Sequence, residues 1–142
     1  MNLKSALLIT LLLFTGCYAQ SANTPEEDIG YNLALLEQIN LYRMEQNLNQ
    51  LRFDATLTLL AKKHSLTMFH KQKTSHLRFA ERFRQADSLL CVENVGWNYS
   101  SPQSLFEDWR RSSGHNQNML KKELNLVGIA EVGKYVTFFA CK

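Results

Sequence analysis

Several common classes of protein are excluded by what this sequence lacks. Its 142 residues include only three cysteines, two prolines and six glycines, so collagen-like and low-complexity architectures are ruled out. No apolar run reaches the roughly 18–20 residues that a membrane-spanning helix needs. Neither sign of charge dominates, because 16 Lys and Arg oppose 13 Asp and Glu for a net charge of +3. So small a charge does not indicate a nucleic-acid-binding protein.

Familiar catalytic motifs are also absent. The sequence has no Gly-x-Gly-x-x-Gly, Walker or Cys-x-x-Cys pattern, and no serine lies in a nucleophile-elbow pattern. What is present is an ordinary globular content of 45% hydrophobic residues, enough for one domain. The candidates for chemistry are histidines and carboxylates, chiefly His76, Glu93 and His115.

The N-terminal residues have the layout of a targeting segment. Lys4 precedes a nine-residue apolar run, and small residues follow it. This layout is typical of a secretory signal peptide, which we predict over residues 1–19. Cleavage after Ala19 suits ordinary signal peptidase, whereas residues 14–17 resemble a bacterial lipobox in which Cys17 becomes lipidated. Both alternatives predict an exported protein, extracellular, periplasmic or anchored to the envelope, with membrane attachment only through Cys17.

Export changes the interpretation of the other two cysteines. Cys17 belongs to the processing region, which leaves Cys91 and Cys141 in the mature chain. Two cysteines in an oxidising compartment more often pair than stay reduced. We therefore predict a disulfide between them.

Hydrophobic periodicity predicts three helices. Thr24, Pro25 and Glu27 form a capping pattern, so residues 20–30 are interpreted as a tether and helix start, with the domain proper over 31–142. Asp54 is expected to cap a second helix. A third helix is predicted to open at Ser101 and to end at Gly114. The expected apolar positions of the three helices are Ile29, Leu33, Leu36, Ile39 and Tyr42; Leu57, Leu60, Ala61, His64 and Met68; and Leu105, Phe106 and Trp109.

Strand patterns are concentrated late in the chain. Residues 89–97, 126–132 and 135–141 are rich in β-branched and aromatic side chains. Gly133 and Lys134 separate the last two segments, as in a tight two-residue hairpin. The order of elements predicts an α+β fold with helices packed on a small sheet.

Six segments in the same order resemble the CAP superfamily, which groups cysteine-rich secretory proteins, venom antigens, plant pathogenesis-related proteins and bacterial SCP-like extracellular proteins. The bacterial type is the nearer match, and the resemblance covers residues 31–141. The matching segments are Leu36-x-x-Ile39-Asn40-x-Tyr42-Arg43, Leu51-x-Phe53-Asp54-x-x-Leu57, Ala61-x-x-His64-Ser65-x-x-Met68, Ser75-His76-x-x-Phe79-x-x-Arg82, Glu93-Asn94-Val95-Gly96 and Trp109-x-x-Ser112-x-Gly114-His115, followed by the hairpin residues 127–139.

The resemblance implies an α-β-α sandwich whose small, mainly antiparallel sheet lies between helices. It also implies a cleft in which two histidines and two glutamates meet and can hold a divalent metal. His76 and His115 match the histidines and Glu93 matches the first glutamate. Ser112 stands where the second glutamate would be, and Asn94 adjoins the cleft.

Three functions follow from this set of residues. Neutral imidazoles bind zinc or copper, and Glu93 can ligate, orient an imidazole or activate water. The resemblance favours a non-enzymatic binding protein, for a divalent metal, a small molecule or a lipid-like envelope ligand, without excluding catalysis. The alternatives are a metal-assisted hydrolase with Glu93 as general base, and a structural envelope factor in which Glu93 accepts hydrogen bonds from both imidazoles.

Other polar residues have simpler interpretations. His64 is expected in the core and His70 in solvent, while Arg82 is expected to brace the cleft loops. Trp97 is predicted to be a core aromatic, like Phe106 and Trp109. Residues 62–84 are locally basic, which indicates a solvated face or, alternatively, contact with an anionic envelope surface.

Overall fold

The computed structural model describes residues 25–142. The predicted signal peptide, the lipidation at Cys17 and the capping role of Thr24 lie outside these residues. Within residues 25–142, no helix combines the length and apolarity needed to cross a membrane.

Helices and strands alternate along the described chain. Five helices and four strands are present between residues 25 and 142. In order they are α1 (Ile29–Glu45), β1 (Arg52–Phe53), α2 (Ala55–Lys71), α3 (Phe79–Gln85), β2 (Cys91–Trp97), α4 (Pro102–Arg111), α5 (Ser113–Met119), β3 (Leu126–Val132) and β4 (Tyr135–Cys141).

One four-stranded sheet lies between the helices, in the strand order β1-β3-β4-β2. β4 pairs antiparallel with both β3 and β2, and the two-residue β1 pairs parallel with β3. Helices cover both faces, which confirms the α+β sandwich. Gly133 and Lys134 turn the hairpin, both with positive φ (56° and 69°), as a turn that matches strand twist requires.

The sheet face under α1, α4 and α5 carries the larger core, and we call it the dry face. Its side chains are aliphatic or aromatic and exclude water over most of their surface. The buried members are Leu35, Leu36, Ile39, Leu51, Leu105, Phe106, Trp109, Met119, Leu124, Val127, Ile129, Val136, Phe138 and Ala140.

The opposite face, under α2 and α3, is smaller and carries polar side chains, so we call it the polar face. Its buried apolar members are Leu57, Leu60, Ala61, Ala130, Phe139 and Cys141. Ser65 on α2 donates to Ala130 O at 2.8 Å, and its hydroxyl is 2.8 Å from that of Thr137. Gly128 lets α2 approach closely, because a Cβ there would lie 2.1 Å from the Leu57 carbonyl.

The start of α1 differs from the prediction. α1 begins at Ile29, and the Asp28 carboxylate caps it by accepting from Tyr31 N at 2.9 Å. The helix therefore starts later than a first helical position at Pro25 would give, and Glu27 forms a β-bridge with Val132. Because Glu27 is paired with Val132 of β3, the backbone is extended at this point and the helix begins two residues later.

The apolar face of α1 was also partly misassigned. Ile29 and Leu33 are 66% and 56% exposed. The buried face of α1 consists of Asn32, Leu35, Leu36, Ile39 and Arg43.

Further corrections concern residues 97–119. α4 ends at Arg111 and Gly114 lies within α5, so the predicted helix end at Gly114 was wrong. Trp97 is 53% exposed at the end of β2, beside Tyr135, so its core assignment was wrong. The short elements β1, α3 and α5 were not predicted, because a two-residue strand and helices of about two turns show too little of their repeat.

Other predictions are confirmed. Asp54 caps α2 and Ser101 caps α4, each accepting from a backbone N–H three residues later. The predicted apolar positions of α2 and α4 are buried. Cys91 and Cys141 face each other across β2 and β4 and form the disulfide, with Cα atoms 4.1 Å apart.

Candidate functional site: a glutamate between an arginine and three histidines

Glu93 lies at the middle of β2 and points to the polar face, where it is 5% exposed. Arg82 of α3 donates two hydrogen bonds to its carboxylate, from Nε to Oε2 at 2.7 Å and from Nη2 to Oε1 at 2.8 Å. Arg82 Nη1 also donates to Leu77 O at 2.9 Å, which fixes the guanidinium. This bidentate geometry is the strong form of the arginine–carboxylate pair.

His76 lies in the segment before α3 and contacts the same carboxylate. Its Nδ1 is 3.0 Å from Glu93 Oε1, and since a carboxylate accepts, the Nδ1–H is the donor. This bond orients the ring and leaves Nε2 to contact other groups. The side chain is 53% exposed. A histidine oriented by a carboxylate with one nitrogen left over is the usual arrangement of a metal-binding imidazole.

His64 of α2 is the second histidine beside Glu93. It is buried, as predicted, and its Nε2–H donates to Ser75 O at 2.7 Å while lying 3.7 Å from Glu93 Oε1. Burial lowers the pKa of His64, and the charges of Arg82 and His76 lower it further against the opposing effect of Glu93. His64 is therefore a neutral donor that fixes the backbone ahead of His76.

A network of amides holds α5 against β2. Asn94 is fully buried on the dry face and donates from Nδ2 to His115 O at 3.0 Å. Asn118 Nδ2 donates to Asn94 Oδ1 at 2.8 Å and to Glu93 O at 3.0 Å. The Asn94 side chain thus holds helix α5, which carries His115, against β2.

The His115 ring lies beside the indole of Trp109, with ring centroids 6.0 Å apart. Burial lowers the pKa of His115, and the nearby His76 lowers it further. Its Nδ1 is buried and has no hydrogen-bond partner among residues 25–142. A neutral ring with an unsatisfied nitrogen near His76 has the chemistry needed to bind a cation or a polar ligand.

The structure brings the predicted residues together only in part. Glu93 accepts hydrogen bonds from His76 and Arg82 but not from His115. Ser112 joins α4 to α5, and its side chain makes no hydrogen bond within the described chain.

Whether these residues fit a metal can be judged from the donor atoms. No group of three or more His, Cys, Asp or Glu side chains within residues 25–142 is arranged to hold a metal ion. His76 and His115 are the two imidazoles that remain as candidate ligands. A closed centre that includes Glu93 does not fit, because Arg82 compensates the charge of that carboxylate.

Sequence reasoning missed the direct part that Arg82 plays. Arg82 and Glu93 are on different elements, and no local pattern joins them. The available indication was an arginine among the phenylalanines of residues 79–83, where a buried cation would need a carboxylate partner.

A family model matches three-quarters of this chain. The model is that of CAP, the cysteine-rich secretory protein family, and it matches residues 36–142. This chain is a member of the CAP family. The match includes every site residue described above, so the resemblance on the sequence motifs is confirmed.

Solved structures of bacterial proteins share the fold. An extracellular protein containing an SCP domain from Bacillus anthracis has a TM-score of 0.75 at 22% identity, covering 80% of this chain and 40% of that one. A cysteine-rich secretory protein from Staphylococcus aureus has a TM-score of 0.72 at 16% identity, covering 79% and 38%. An outer surface protein from Borrelia burgdorferi has a TM-score of 0.73 at 18% identity, covering 83% and 98%.

Two points limit the transfer of function from these proteins. The CAP domain described here spans only about two-fifths of the first two structures. No curated protein matches the sequence. The solved structures therefore establish the fold of this chain, and its activity is argued from its own residues.

Proposed function

We propose that this CAP-domain chain is an exported, non-enzymatic binding protein whose cleft takes its ligand on His76 and His115. The observation that carries the proposal is the state of Glu93. Its two oxygens accept three N–H groups, two from Arg82 and one from His76. The site thus presents the imidazoles of His76 and His115 beside a carboxylate that is buried and paired with Arg82.

This arrangement disfavours the metal-assisted hydrolase. A general base must reach the proton of a bound water with an unoccupied lone pair. Glu93 is buried and already hydrogen-bonded to Arg82 and His76, and Ser112 supplies no second carboxylate. Binding is therefore the function that these residues support best.

A divalent metal such as zinc or copper is the simplest ligand for two imidazoles. His76 would bind through Nε2, while His115 contributes a neutral ring whose pKa is lowered by burial and by His76. Two protein ligands leave most coordination positions to water or to a polar envelope molecule, so we expect weak, micromolar-type affinity. Affinity should fall as the pH drops through roughly 6.5, where imidazoles protonate.

Export and envelope location are part of the proposal. The disulfide between Cys91 and Cys141 favours an oxidising compartment. Two of the structural neighbours are described as an extracellular protein and an outer surface protein. The signal-peptide pattern of residues 1–19 agrees with this, and Cys17 is the proposed membrane anchor if the lipobox is used.

Titration calorimetry with zinc and copper at pH 8 tests the binding function. We expect His115→Ala to remove most of the binding and His76→Ala to do the same. Glu93→Gln should weaken binding roughly 10–100-fold, as loss of an orienting carboxylate does. His70→Ala is the matched control, because His70 is exposed on α2 and should leave the isotherm unchanged.

The result that contradicts metal binding is the absence of heat with both metals at pH 8. The His76, Glu93 and Arg82 cluster would then be a hydrogen-bond network that stabilises the fold, and the chain a structural envelope factor. Hydrolytic turnover abolished by Glu93→Gln, with metal binding intact, would instead establish the hydrolase.

A further inference from the structure

A groove on the polar side of the molecule lies between α2 and α3, with a cavity volume of about 520 Å³. This volume is within the usual range of small-molecule sites. His76 and His115 do not line the groove, so it is separate from the proposed binding cleft. Its walls are formed by Leu60, Lys63, His64, Thr67, Lys71, Leu77, Arg78, Glu81, Arg82 and Gln85.

One wall of the groove is a row of polar side chains on α2. Lys63, Thr67 and Lys71 follow one another at intervals of four residues, so they share one helix face. The two lysines are about 12 Å apart at the backbone, at a rise of about 1.5 Å per residue. The seven ion pairs of the described chain include neither of them. The ammonium groups of Lys63 and Lys71 are therefore unpaired among residues 25–142, and Glu81, the one carboxylate that lines the groove, pairs with Arg78.

The opposite wall adds a third exposed cation. Arg78 precedes α3 in the left-handed region (φ 63°), which a non-glycine residue adopts only when its surroundings hold it there. Its partner is Glu81 at 3.5 Å, through a side chain that is 74% exposed. An exposed pair of this kind contributes little and can be exchanged for another anion.

The remaining lining restricts the kind of anion. Leu60 and Leu77 offer aliphatic surface, and Gln85 and Thr67 offer hydrogen bonds. No Phe, Tyr or Trp side chain lines this groove, and the one ring in its wall, His64, is buried, so stacking is not the main basis of ligand selection. Separated cations with polar and aliphatic groups between them suit a molecule that has acidic groups at both ends of a polar carbon skeleton.

We propose that the groove between α2 and α3 binds a small organic anion with two separated phosphate-type groups, one at Lys63 and one at Lys71. A polyol skeleton between the two groups lies against Leu60 and Leu77. The same chemistry occurs in a free sugar bisphosphate and in adjacent units of a phosphodiester polymer.

The groove adjoins the binding cleft through two shared residues. Arg82 and His64 line the groove and also lie beside Glu93. The ligand therefore adds negative charge on the groove side of the Arg82–Glu93 pair. Binding should raise the pKa of the neighbouring His64, since an added anion favours the imidazolium.

Calorimetry and NMR titration with fructose 1,6-bisphosphate test the site, with inorganic phosphate as the single-anion probe. At low salt we expect the bisphosphate to bind at least about tenfold more tightly than phosphate, because it makes two charge-assisted contacts. Lys63→Gln with Lys71→Gln should reduce that affinity by at least about tenfold. Lys121→Gln with Lys122→Gln removes the same charge outside the groove and should leave affinity unchanged.

A parallel titration with poly(glycerol phosphate) distinguishes a phosphodiester polymer from a free sugar bisphosphate as the ligand. Tighter binding by the polymer per phosphate, with the same loss in the Lys63 and Lys71 variant, assigns the groove to a polymer. Tighter binding by the bisphosphate assigns it to a free metabolite.

Three results would overturn the proposal. They are equal affinity for phosphate and bisphosphate, equal losses in the two double-lysine variants, and no binding of either organic probe at low salt. Because all four lysines are exposed, both variants should fold, and the unfolding midpoint in urea verifies this before the titrations.

Discussion

On the dry face of the sheet, three helices cover large side chains such as Val127, Ile129 and Phe138, and the contacts are almost entirely apolar. On the polar face, α2 and α3 cover Ala130 and Thr137, and a buried ion pair and hydroxyl bonds lie among the smaller residues. The same strands thus serve two different environments, since alternate residues point to opposite faces.

The residues of β2 that face the dry side stabilise the fold, whereas those that face the polar side orient the proposed binding residues. Neighbouring residues of β2 illustrate it, because Asn94 on the dry face holds α5 in place while Glu93 on the polar face orients His76. The apolar core supplies most of the burial that stabilises the fold. The polar face holds charges whose geometry is fixed by hydrogen bonds and by a disulfide.

The sharpest test of this division is Arg82→Met compared with Phe138→Ala. Arg82→Met leaves Glu93 buried without its guanidinium and should cost about 3–5 kcal/mol. Phe138→Ala creates a cavity on the dry face and should also cost about 3–5 kcal/mol. Urea unfolding measures both losses, and the NMR chemical shifts of the His76 ring should change only in the Arg82 variant, because His76 shares the Glu93 carboxylate with Arg82.

A double variant shows whether the polar face needs its charges. Arg82→Met with Glu93→Leu should recover most of the lost stability, because both buried charges are removed together. A cost below about 1 kcal/mol for Arg82→Met alone would contradict a structural role for the ion pair.

The disulfide is the next largest effect, and it acts at the end of the polar face. Cys91 and Cys141 close a loop with a sequence separation of 50. In the chain-entropy model this linkage contributes about 4 kcal/mol. We expect Cys91→Ser with Cys141→Ser to lower the free energy of unfolding by about that amount, measured in urea against the oxidised wild type. An unchanged midpoint would show that the apolar cores of the two faces stabilise the fold without the disulfide.

Two glycine substitutions compare the packing of the faces directly. Gly128→Ala on the polar face would place a methyl group 2.1 Å from backbone atoms of α2, which cannot move without shifting the helix. Gly96→Ala on the dry face would meet the end of the Leu105 side chain at 2.6 Å, which can rotate away. We expect losses of about 3 kcal/mol and about 1 kcal/mol respectively, from thermal unfolding. The reverse order would contradict the close approach of α2.

The smallest effect is a pH dependence that arises mainly on the polar face. Burial lowers the pKa of His64 and of His115, so below roughly pH 6.5 the unfolded chain binds more protons than the folded one. This contribution to stability is complete above that pH and is lost as the pH falls. We expect unfolding midpoints from pH 8 to pH 5 to decrease less in His64→Gln than in the wild type.

His70→Gln is the control for that measurement. His70 is exposed on the same helix and should leave the slope with pH unchanged. Equal slopes in wild type and His64→Gln would show that His64 does not carry the acid sensitivity.

Local patterns were sufficient for the long elements and their caps. Asp54 and Ser101 begin helices as predicted because capping depends on residues within one turn. The hairpin at Gly133 was predictable for the same reason, since a two-residue turn is a local structure. The short α3 and α5 were not, because their seven residues are held by contacts with β2 rather than by their own periodicity.

The family and the pairing of the two cysteines were predictable from the sequence, and the sequence also supplied the two histidines and the glutamate that are proposed as the binding site. The pairing of Glu93 with Arg82 could be recognised only in the folded structure. Arg82 is on a separate helix, and the ion pair forms when α3 packs against β2. Burial then makes that pairing obligatory, since an isolated carboxylate among apolar side chains is strongly destabilising. The tertiary structure also decides which apolar residues stay exposed, since Ile29 and Trp97 remain 66% and 53% exposed.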